Sequence, residues 1–203
     1  MIRHIVFDMG NVLRTFDEEK IIAQYTSKEE EQRQLKESLF TGLWAQLDKG
    51  TITHEEVKKE VRKTLPTHLY SVVDRLLDTW HEHMPVDPQM EKLVVQLKDQ
   101  GYHLYLLSNA SVRFSQYEKT TEMFRLFDGL VVSAFHKTVK PEKRIYEILF
   151  NTYHLIPSEC VFIDDNPANV AAGEDFGMAG HVFDGDISKL LAFFDEMEIV
   201  YQE

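Results

Sequence analysis

The sequence has little cysteine, no long apolar run and a deficit of positive charge. Its single cysteine, Cys160, rules out an internal disulfide framework, so a reducing cytoplasm is the expected compartment. No run approaches the ~20 apolar residues that a membrane-spanning helix needs, and the first residues turn acidic too early for a secretory signal. With 22 Lys and Arg against 34 Asp and Glu, the net charge is −12, which disfavours nucleic acid and anionic membranes as partners. A small anionic ligand stays possible, because a metal ion and one lysine can reverse the sign of a local pocket.

Five short apolar runs predict buried strands. They cover residues 4–8, 102–107, 129–133, 160–163 and 179–183. Helices are predicted over 88–100, 111–123, 142–153 and 167–176, from three-to-four spacing, prolines near helix starts and glycines at helix ends. Strands that alternate with helices indicate an α/β fold with a doubly wound, mostly parallel, Rossmann-like sheet.

Residues 16–85 contain no strand signal. Amphipathic segments near 17–26, 28–40, 53–64 and 69–82 predict helices, and Thr53 with Glu56 forms a capping box. We therefore predict two domains: an α/β core made of residues 1–15 and 86–203, and a small helical domain inserted over 16–85.

Polar side chains stand at the ends of the predicted strands or just before the following helix. They are Asp8, Ser108, Asn109, Lys140, Asp164 and Asp165. Ligands of open α/β sheets bind outside the carboxyl ends of the strands, so these groups are expected to converge. Helix capping and turn formation could explain each residue alone, but they explain the whole set poorly.

The order and spacing of four short segments resemble the haloacid dehalogenase superfamily of hydrolases. The segments are Phe7-Asp8-Met9-Gly10-Asn11-Val12, Leu107-Ser108-Asn109, Lys140-Pro141 and Asp164-Asp165-Asn166-Pro167-Ala168-Asn169. The helical insert is similar to the cap domain that many members carry after the first strand, so the resemblance spans the chain. The first segment looks most like the branch that includes bacterial glucose-1-phosphate phosphatases, and it also resembles the N-terminal phosphatase domain of epoxide hydrolases.

This resemblance implies a Mg²⁺-dependent phosphatase of small phosphorylated metabolites, such as sugar phosphates. Asp8 would be the nucleophile and would carry the phosphoryl group as an aspartyl phosphate. Asp8, the carbonyl of Gly10 and Asp165 would bind Mg²⁺, with Asp164 binding directly or through water.

The resemblance also implies a phosphate site. Ser108 and the backbone amide of Asn109 would hold the phosphate, and Lys140 would pair with both the nucleophile and the phosphate. Three carboxylates and one lysine leave a net −2 facing a dianionic substrate. Since unit charges ~4 Å apart repel by about 4 kcal/mol at an effective dielectric of 20, one Mg²⁺ is expected to complete the site.

Gly10 departs from the pattern of most phosphatases in the superfamily, which have a second aspartate at this position as general acid and base. Such catalysis is worth about 10² to 10⁴ in rate. Three interpretations stay open: a cap residue or water substitutes, good leaving groups need no acid, or the chain is a slow enzyme or a non-catalytic phospho-ligand-binding module. The similar branch shares this pattern, so we expect retained but slower hydrolysis, in preference to dehalogenation or mutase action.

Other candidate residues carry weaker signals. His81 and His83 are alternate residues and do not face the same way on a helix, so they are expected at the surface or hinge rather than at a metal. Trp44 and Trp80 are expected in the core of the helical insert, although Trp44 could reach the site. Arg14 is expected either to meet a substrate or to lie in a solvated loop.

Overall fold

The computed structural model describes residues 1–201, and its centre is one parallel sheet. The strands are β1 (His4–Phe7), β2 (His103–Ser108), β3 (Gly129–Val132), β4 (Cys160–Asp164) and β5 (Ala179–Val182). Their order is β3-β2-β1-β4-β5, with every neighbouring pair parallel. The predicted α/β, doubly wound fold is thus confirmed. No helix among the described residues is long and apolar enough to cross a membrane.

The central strand β1 is buried on both faces, as its unbroken apolar sequence predicts. Ile5 and Phe7 belong to the hydrophobic core on one face of the sheet, while Val6 belongs to the core on the other. Phe7 lies opposite Leu106 of β2 and Ile163 of β4. Asp8, the residue after Phe7, therefore lies at the carboxyl edge of the sheet, between the ends of β2 and β4.

The helical insert, residues 16–85, contains five α-helices and no strand among its described residues. They are α1 (Glu18–Ala23), α2 (Glu29–Leu39), α3 (Leu43–Lys49), α4 (His54–Val61) and α5 (Tyr70–Thr79). The capping box of Thr53 and Glu56 is confirmed at the start of α4. Helix α3 lies outside the segments predicted to be helical, which stop near residue 40 and resume near residue 53.

The chain enters and leaves the helical insert at adjacent points. Arg14 and Val86 form an antiparallel bridge, and the amide of Thr15 donates to the carbonyl of Pro85 at 3.0 Å. The amide of Asp87 donates to the carbonyl of Leu13 at 3.0 Å. The two connecting segments therefore run side by side, and the division of the chain into two domains stays a prediction.

Six further α-helices belong to the rest of the described chain. They are α6 (Pro88–Asp99), α7 (Phe114–Tyr117), α8 (Ser133–His136), α9 (Lys143–Tyr153), α10 (Pro167–Glu174) and α11 (Ile187–Glu196). The helix predicted over 111–123 is wrong in form: α7 is one turn long, and 3₁₀ turns follow it over residues 118–120 and 122–126. Thr121 adopts an extended backbone between these turns, which interrupts the helical run.

Candidate active site

Asp8 stands at the end of the central strand, and its neighbours fix its position. Its amide donates to the carbonyl of Ile163 at 2.9 Å, which continues the β1–β4 ladder by one residue. Its Oδ1 accepts a hydrogen bond from the amide of Met9 at 2.7 Å. The side chain is buried, with 8% of the residue exposed. A carboxylate held this way keeps one orientation at the carboxyl edge of the sheet.

Lys140 joins two of the predicted carboxylates. Its ammonium lies 2.7 Å from Oδ1 of Asp8 and 2.6 Å from Oδ2 of Asp164, and its side chain is 1% exposed. The side chain of Asn109 fixes the backbone of Lys140, accepting from its amide at 2.8 Å and donating to its carbonyl at 3.0 Å. The ends of β2 and β4 therefore position this lysine together.

Asp164 is fully buried and surrounded by donors. Its Oδ1 accepts from the amide of Asn166 at 2.8 Å, and the side chain of Asn169 donates to Oδ1 and Oδ2 at 3.0 and 3.2 Å. Asp165 is more open, and its Oδ2 accepts from the side chain of Asn11 at 3.0 Å. Ligand oxygens of Asp8, Asp164 and Asp165 all lie within 4.8 Å of one another.

Burial and neighbouring charges together set the pKa values of Asp8 and Lys140. Loss of solvation raises the pKa of Asp8 to about 7, with the charge of Lys140 opposing this shift and that of Asp164 adding to it. Burial would lower the pKa of Lys140, but the charges of Asp8 and Asp164 outweigh it and raise the pKa of this lysine. The ammonium is therefore firmly charged, whereas a further cation would favour the ionised form of Asp8.

The three carboxylates fit a magnesium ion. All the side-chain donors are hard oxygens, which Mg²⁺ prefers over nitrogen or sulfur. Their mutual approach leaves more negative charge than one lysine neutralises. Asn169 Oδ1 is a buried oxygen for which the described residues provide no hydrogen-bond donor. The donor set thus suits a hydrated divalent cation.

A cavity of about 240 Å³ opens above these groups. Five of the seven residues predicted for the site line it: Asp8, Gly10, Asn109, Lys140 and Asp165. The other two, Ser108 and Asp164, are almost completely buried beside it, with 1% and 0% of each residue exposed. All seven therefore meet at one edge of the sheet, as the sequence predicts.

Aromatic side chains form the outer wall of the cavity. This aromatic wall consists of Phe16, Trp44 and Trp80, and Met84 also lines the cavity. The Trp44 ring lies 4.9 Å from that of Trp80 and stacks on that of Phe40 at 4.4 Å. Trp44 therefore reaches the site, which the sequence analysis left open, whereas Trp80 was expected only in the core of the insert and lines the cavity as well.

Asn11 and Asp48 are among the lining residues that were not predicted from the sequence. Asn11 adopts a left-handed backbone, with φ of 55°, and its Oδ1 accepts from the amide of Phe16 at 2.9 Å. It thereby connects Asp165 to the aromatic wall. Asp48, in the last turn of α3, also lines the cavity. Asn11 lies inside the first motif, so the sequence contained a signal that it belongs to the site. The local sequence around Asp48 contained no such signal.

Two other candidates do not contribute ligands. The Arg14 side chain is buried and donates to the carbonyls of Met84 and His81 at 2.7 and 3.3 Å, so it joins the two ends of the insert and is not solvated. The His81 ring stacks on Tyr117 at 5.1 Å. Among the described residues, the one cluster suited to a metal is the three-aspartate set, which contains no histidine.

Comparison with known proteins places this architecture among characterised relatives. The family model for haloacid dehalogenase-like hydrolases matches residues 2–177. A D-ribitol-5-phosphate phosphatase of Bacteroides thetaiotaomicron is 26% identical over 189 residues, covering 87% of this chain and 89% of the relative. A sesquiterpene phosphatase of Aspergillus oryzae is 27% identical over 176 residues, covering 86% of each chain.

A solved structure shares the fold. A HAD family enzyme from Bacteroides thetaiotaomicron, crystallised with magnesium and inorganic phosphate, superposes with a TM-score of 0.74 at 24% identity. The match covers 94% of this chain and 99% of that one. At this identity, the likeness establishes a common fold.

Proposed function

This chain belongs to the haloacid dehalogenase-like hydrolases, and from that membership we propose that it is a Mg²⁺-dependent phosphatase of small phosphomonoesters. The phosphoryl group is carried on Asp8. Two phosphatases align over 87% and 86% of this chain, whereas an (S)-2-haloacid dehalogenase of Burkholderia cepacia, 27% identical, aligns over 82% of this chain and 72% of its own length. The fuller match to the phosphatases supports phosphoester hydrolysis over dehalogenation. The helical insert acts as a cap over the site.

The observation that carries this proposal is the meeting of three carboxylates, two of which contact one buried ammonium. Asp8, Asp164 and Asp165 come from two different strand ends, yet their oxygens lie within 4.8 Å of one another. Phosphoryl transfer needs an in-line nucleophile and charge neutralisation, and little further covalent chemistry. A purely structural cluster of this kind would place like charges together without a compensating benefit.

Hydrolysis proceeds through two successive displacements at phosphorus, in which Asp8 and Lys140 have different roles. A carboxylate oxygen of Asp8 attacks phosphorus, and the bond from phosphorus to the leaving oxygen breaks. Water then attacks the phosphorus of the aspartyl phosphate, and the Asp8 carboxylate is released. Lys140 orients Asp8 through their 2.7 Å contact and provides positive charge beside the phosphoryl oxygens.

Magnesium, when bound, supplies positive charge that draws the dianionic phosphate towards the nucleophile. Asp8, the Gly10 carbonyl and Asp165 hold it, with Asp164 contributing directly or through water. Ser108 and the amide of Asn109 hold the phosphate.

The cavity favours an uncharged alcohol as the remainder of the substrate. Lys140 is the one cationic side chain among the described lining residues, so a second anionic group would find no partner there. The aromatic wall of Phe16, Trp44 and Trp80 suits the apolar face of a sugar, a polyol or an isoprenoid chain. A cavity of about 240 Å³ suits a small molecule, such as a sugar phosphate.

Hydrolysis of p-nitrophenyl phosphate with Mg²⁺ tests the function. Wild type should release p-nitrophenol, excess EDTA should abolish the activity, and Asp8→Asn should lose it while it keeps the wild-type circular dichroism spectrum. Wild type that binds phosphate but does not turn over would identify a binding module instead. A panel of sugar, polyol and prenyl monophosphates, with bisphosphates as negative controls, then identifies the substrate.

A further inference from the structure

The proposed chemistry needs a proton that Gly10 cannot supply. When the bond from phosphorus to an alkyl oxygen breaks, the leaving alkoxide must be protonated. The titratable side chains that line the cavity are those of Asp8, Asp48, Lys140 and Asp165. Asp8 is the nucleophile, Asp165 faces the metal position, and Lys140 is held by two carboxylates. Asp48 is the one without such a role.

The carboxyl group of Asp48 has no structural role in the described chain. Among residues 1–201, no hydrogen bond or ion pair to this group is found, and it lies outside the set of carboxylates that approach within 4.8 Å. It also stands in the last turn of α3, where the negative end of the helix dipole disfavours an acid. Neither capping nor pairing therefore explains an aspartate here.

The backbone of Asp48 is anchored to the α/β core. Its carbonyl accepts a short hydrogen bond from the hydroxyl of Ser133, which in turn accepts from the amide of Ala110 at 2.9 Å. Two residues later, Gly50 packs directly on the backbone of Ala134. These contacts tie the last turn of α3 to the ends of β2 and β3. The insert thus presents the Asp48 side chain to the cavity from a fixed point.

The surroundings of Asp48 favour its protonated form. Burial, and then the negative charge of Asp8, raise the pKa of Asp48 to about 8. Tyr117 faces it from α7, and the pKa of this phenol is also raised, chiefly by burial. Arg14 lies 5.7 Å from the Tyr117 ring but is engaged with backbone carbonyls. At neutral pH the carboxyl therefore retains a proton that it can donate.

We propose that Asp48 replaces the missing acid of the Gly10 position, donating its proton to the leaving oxygen when Asp8 attacks. As a carboxylate, it then accepts a proton from the water that hydrolyses the aspartyl phosphate. The proton balance closes over one turnover: one proton passes to the alcohol, and one returns from water. This assignment rests on the proposed phosphatase function, and it moves the acid from the first strand to the helical insert.

Substrates of graded leaving-group pKa test the assignment. With Asp48→Asn, kcat/KM for an alkyl phosphate such as glycerol 2-phosphate should fall by about 10² to 10⁴. For p-nitrophenyl phosphate, kcat/KM should fall less than ~10-fold, because nitrophenolate leaves without a proton. Across a series of aryl phosphates, the dependence of kcat/KM on leaving-group pKa should steepen. The ratio kcat/KM is the readout because it reports the first displacement, whereas kcat also includes hydrolysis of the aspartyl phosphate.

Control variants separate this role from a structural one. Asp74→Asn, on the exposed side of α5 and paired there with Arg62, should leave both substrates unchanged. Asp48→Glu keeps a transferable proton and should recover at least ~10-fold of the alkyl phosphate activity lost in Asp48→Asn. Equal losses on all substrates, no loss, or no recovery with glutamate would each overturn the assignment. Absence of turnover in wild type would instead refute the phosphatase function itself.

Discussion

Replacing Asp48 with asparagine should stabilise the metal-free protein at neutral pH. The folded state raises the pKa of this carboxyl from its ordinary 3.8 to about 8, through burial and the charge of Asp8. A group with a raised folded pKa contributes stability below its unfolded pKa, and this contribution is lost as the pH rises through the folded pKa. Wild type should therefore lose stability relative to the variant between pH ~4 and ~8.

The magnitude follows from the size of the shift. A solution at pH 7 is about 3 pH units above the ordinary pKa of the Asp48 carboxyl, and this difference corresponds to about 4 kcal/mol in the free energy of unfolding. Asp48 is only partly buried at the cavity wall, so water solvates its ionised form to some extent. We therefore expect a gain of ~1 to 3 kcal/mol in the free energy of unfolding for Asp48→Asn.

Urea unfolding in EDTA, at several pH values between 3 and 8.5, measures this difference. The gain should be largest at the alkaline end and should vanish near pH ~3, where the carboxyl is protonated in both states. Asp184→Asn is the matched control. Lys189 and the backbone amide of Asp186 lower the pKa of Asp184, so its removal should give no gain at pH 8. A pH-independent gain for Asp48→Asn, or none, would refute the electrostatic reasoning.

Three further substitutions test the site. Lys140→Met leaves two buried carboxylates unpaired, so it should abolish turnover and cost about 3 to 5 kcal/mol in urea unfolding at pH 7; a loss below ~1 kcal/mol would contradict the pairing. Gly10→Ala should have a free energy of unfolding within ~0.5 kcal/mol of wild type, because the added Cβ would lie 3.8 Å from Cβ of Phe16, which is an ordinary van der Waals contact. Marked destabilisation would show that the backbone at this position requires glycine. Gly50→Ala would place a Cβ 2.3 Å from the carbonyl oxygen of Ala134, so α3 must shift, and kcat/KM for alkyl phosphates should fall at least ~10-fold; an unchanged value would argue against the anchored position of Asp48.

The sheet and the carboxylate set could be predicted from the sequence because both depend on local patterns. Each apolar run ends in polar residues, and the parallel topology brings those ends to one edge. Asp8, Lys140 and Asp165 therefore converge wherever the strands do. The order of the motifs along the chain was enough to anticipate this meeting.

The acid and the aromatic wall depend on contacts between distant segments. Helix α3 has seven residues and buries only Leu47, so it shows no helical periodicity, and Asp48-Lys49-Gly50 resembles a turn. Trp44 in α3 meets Trp80, which directly follows the end of α5, and no local pattern in the sequence reveals this contact. Side chains placed by such tertiary packing need the structure to be found.

Both ends of the helical insert leave the sheet side by side, at Arg14 and Val86. On the predicted division into a core and an inserted helical domain, a bundle of another shape could be grafted between these two points without altering a strand, and substrate choice would then change by exchange of one module. Asp48 belongs to that exchangeable module, however, while the nucleophile does not. A core joined to a bundle that has no equivalent acid would keep its nucleophile but would cleave only esters with good leaving groups. The range of substrates would thus depend on which insert the core carries.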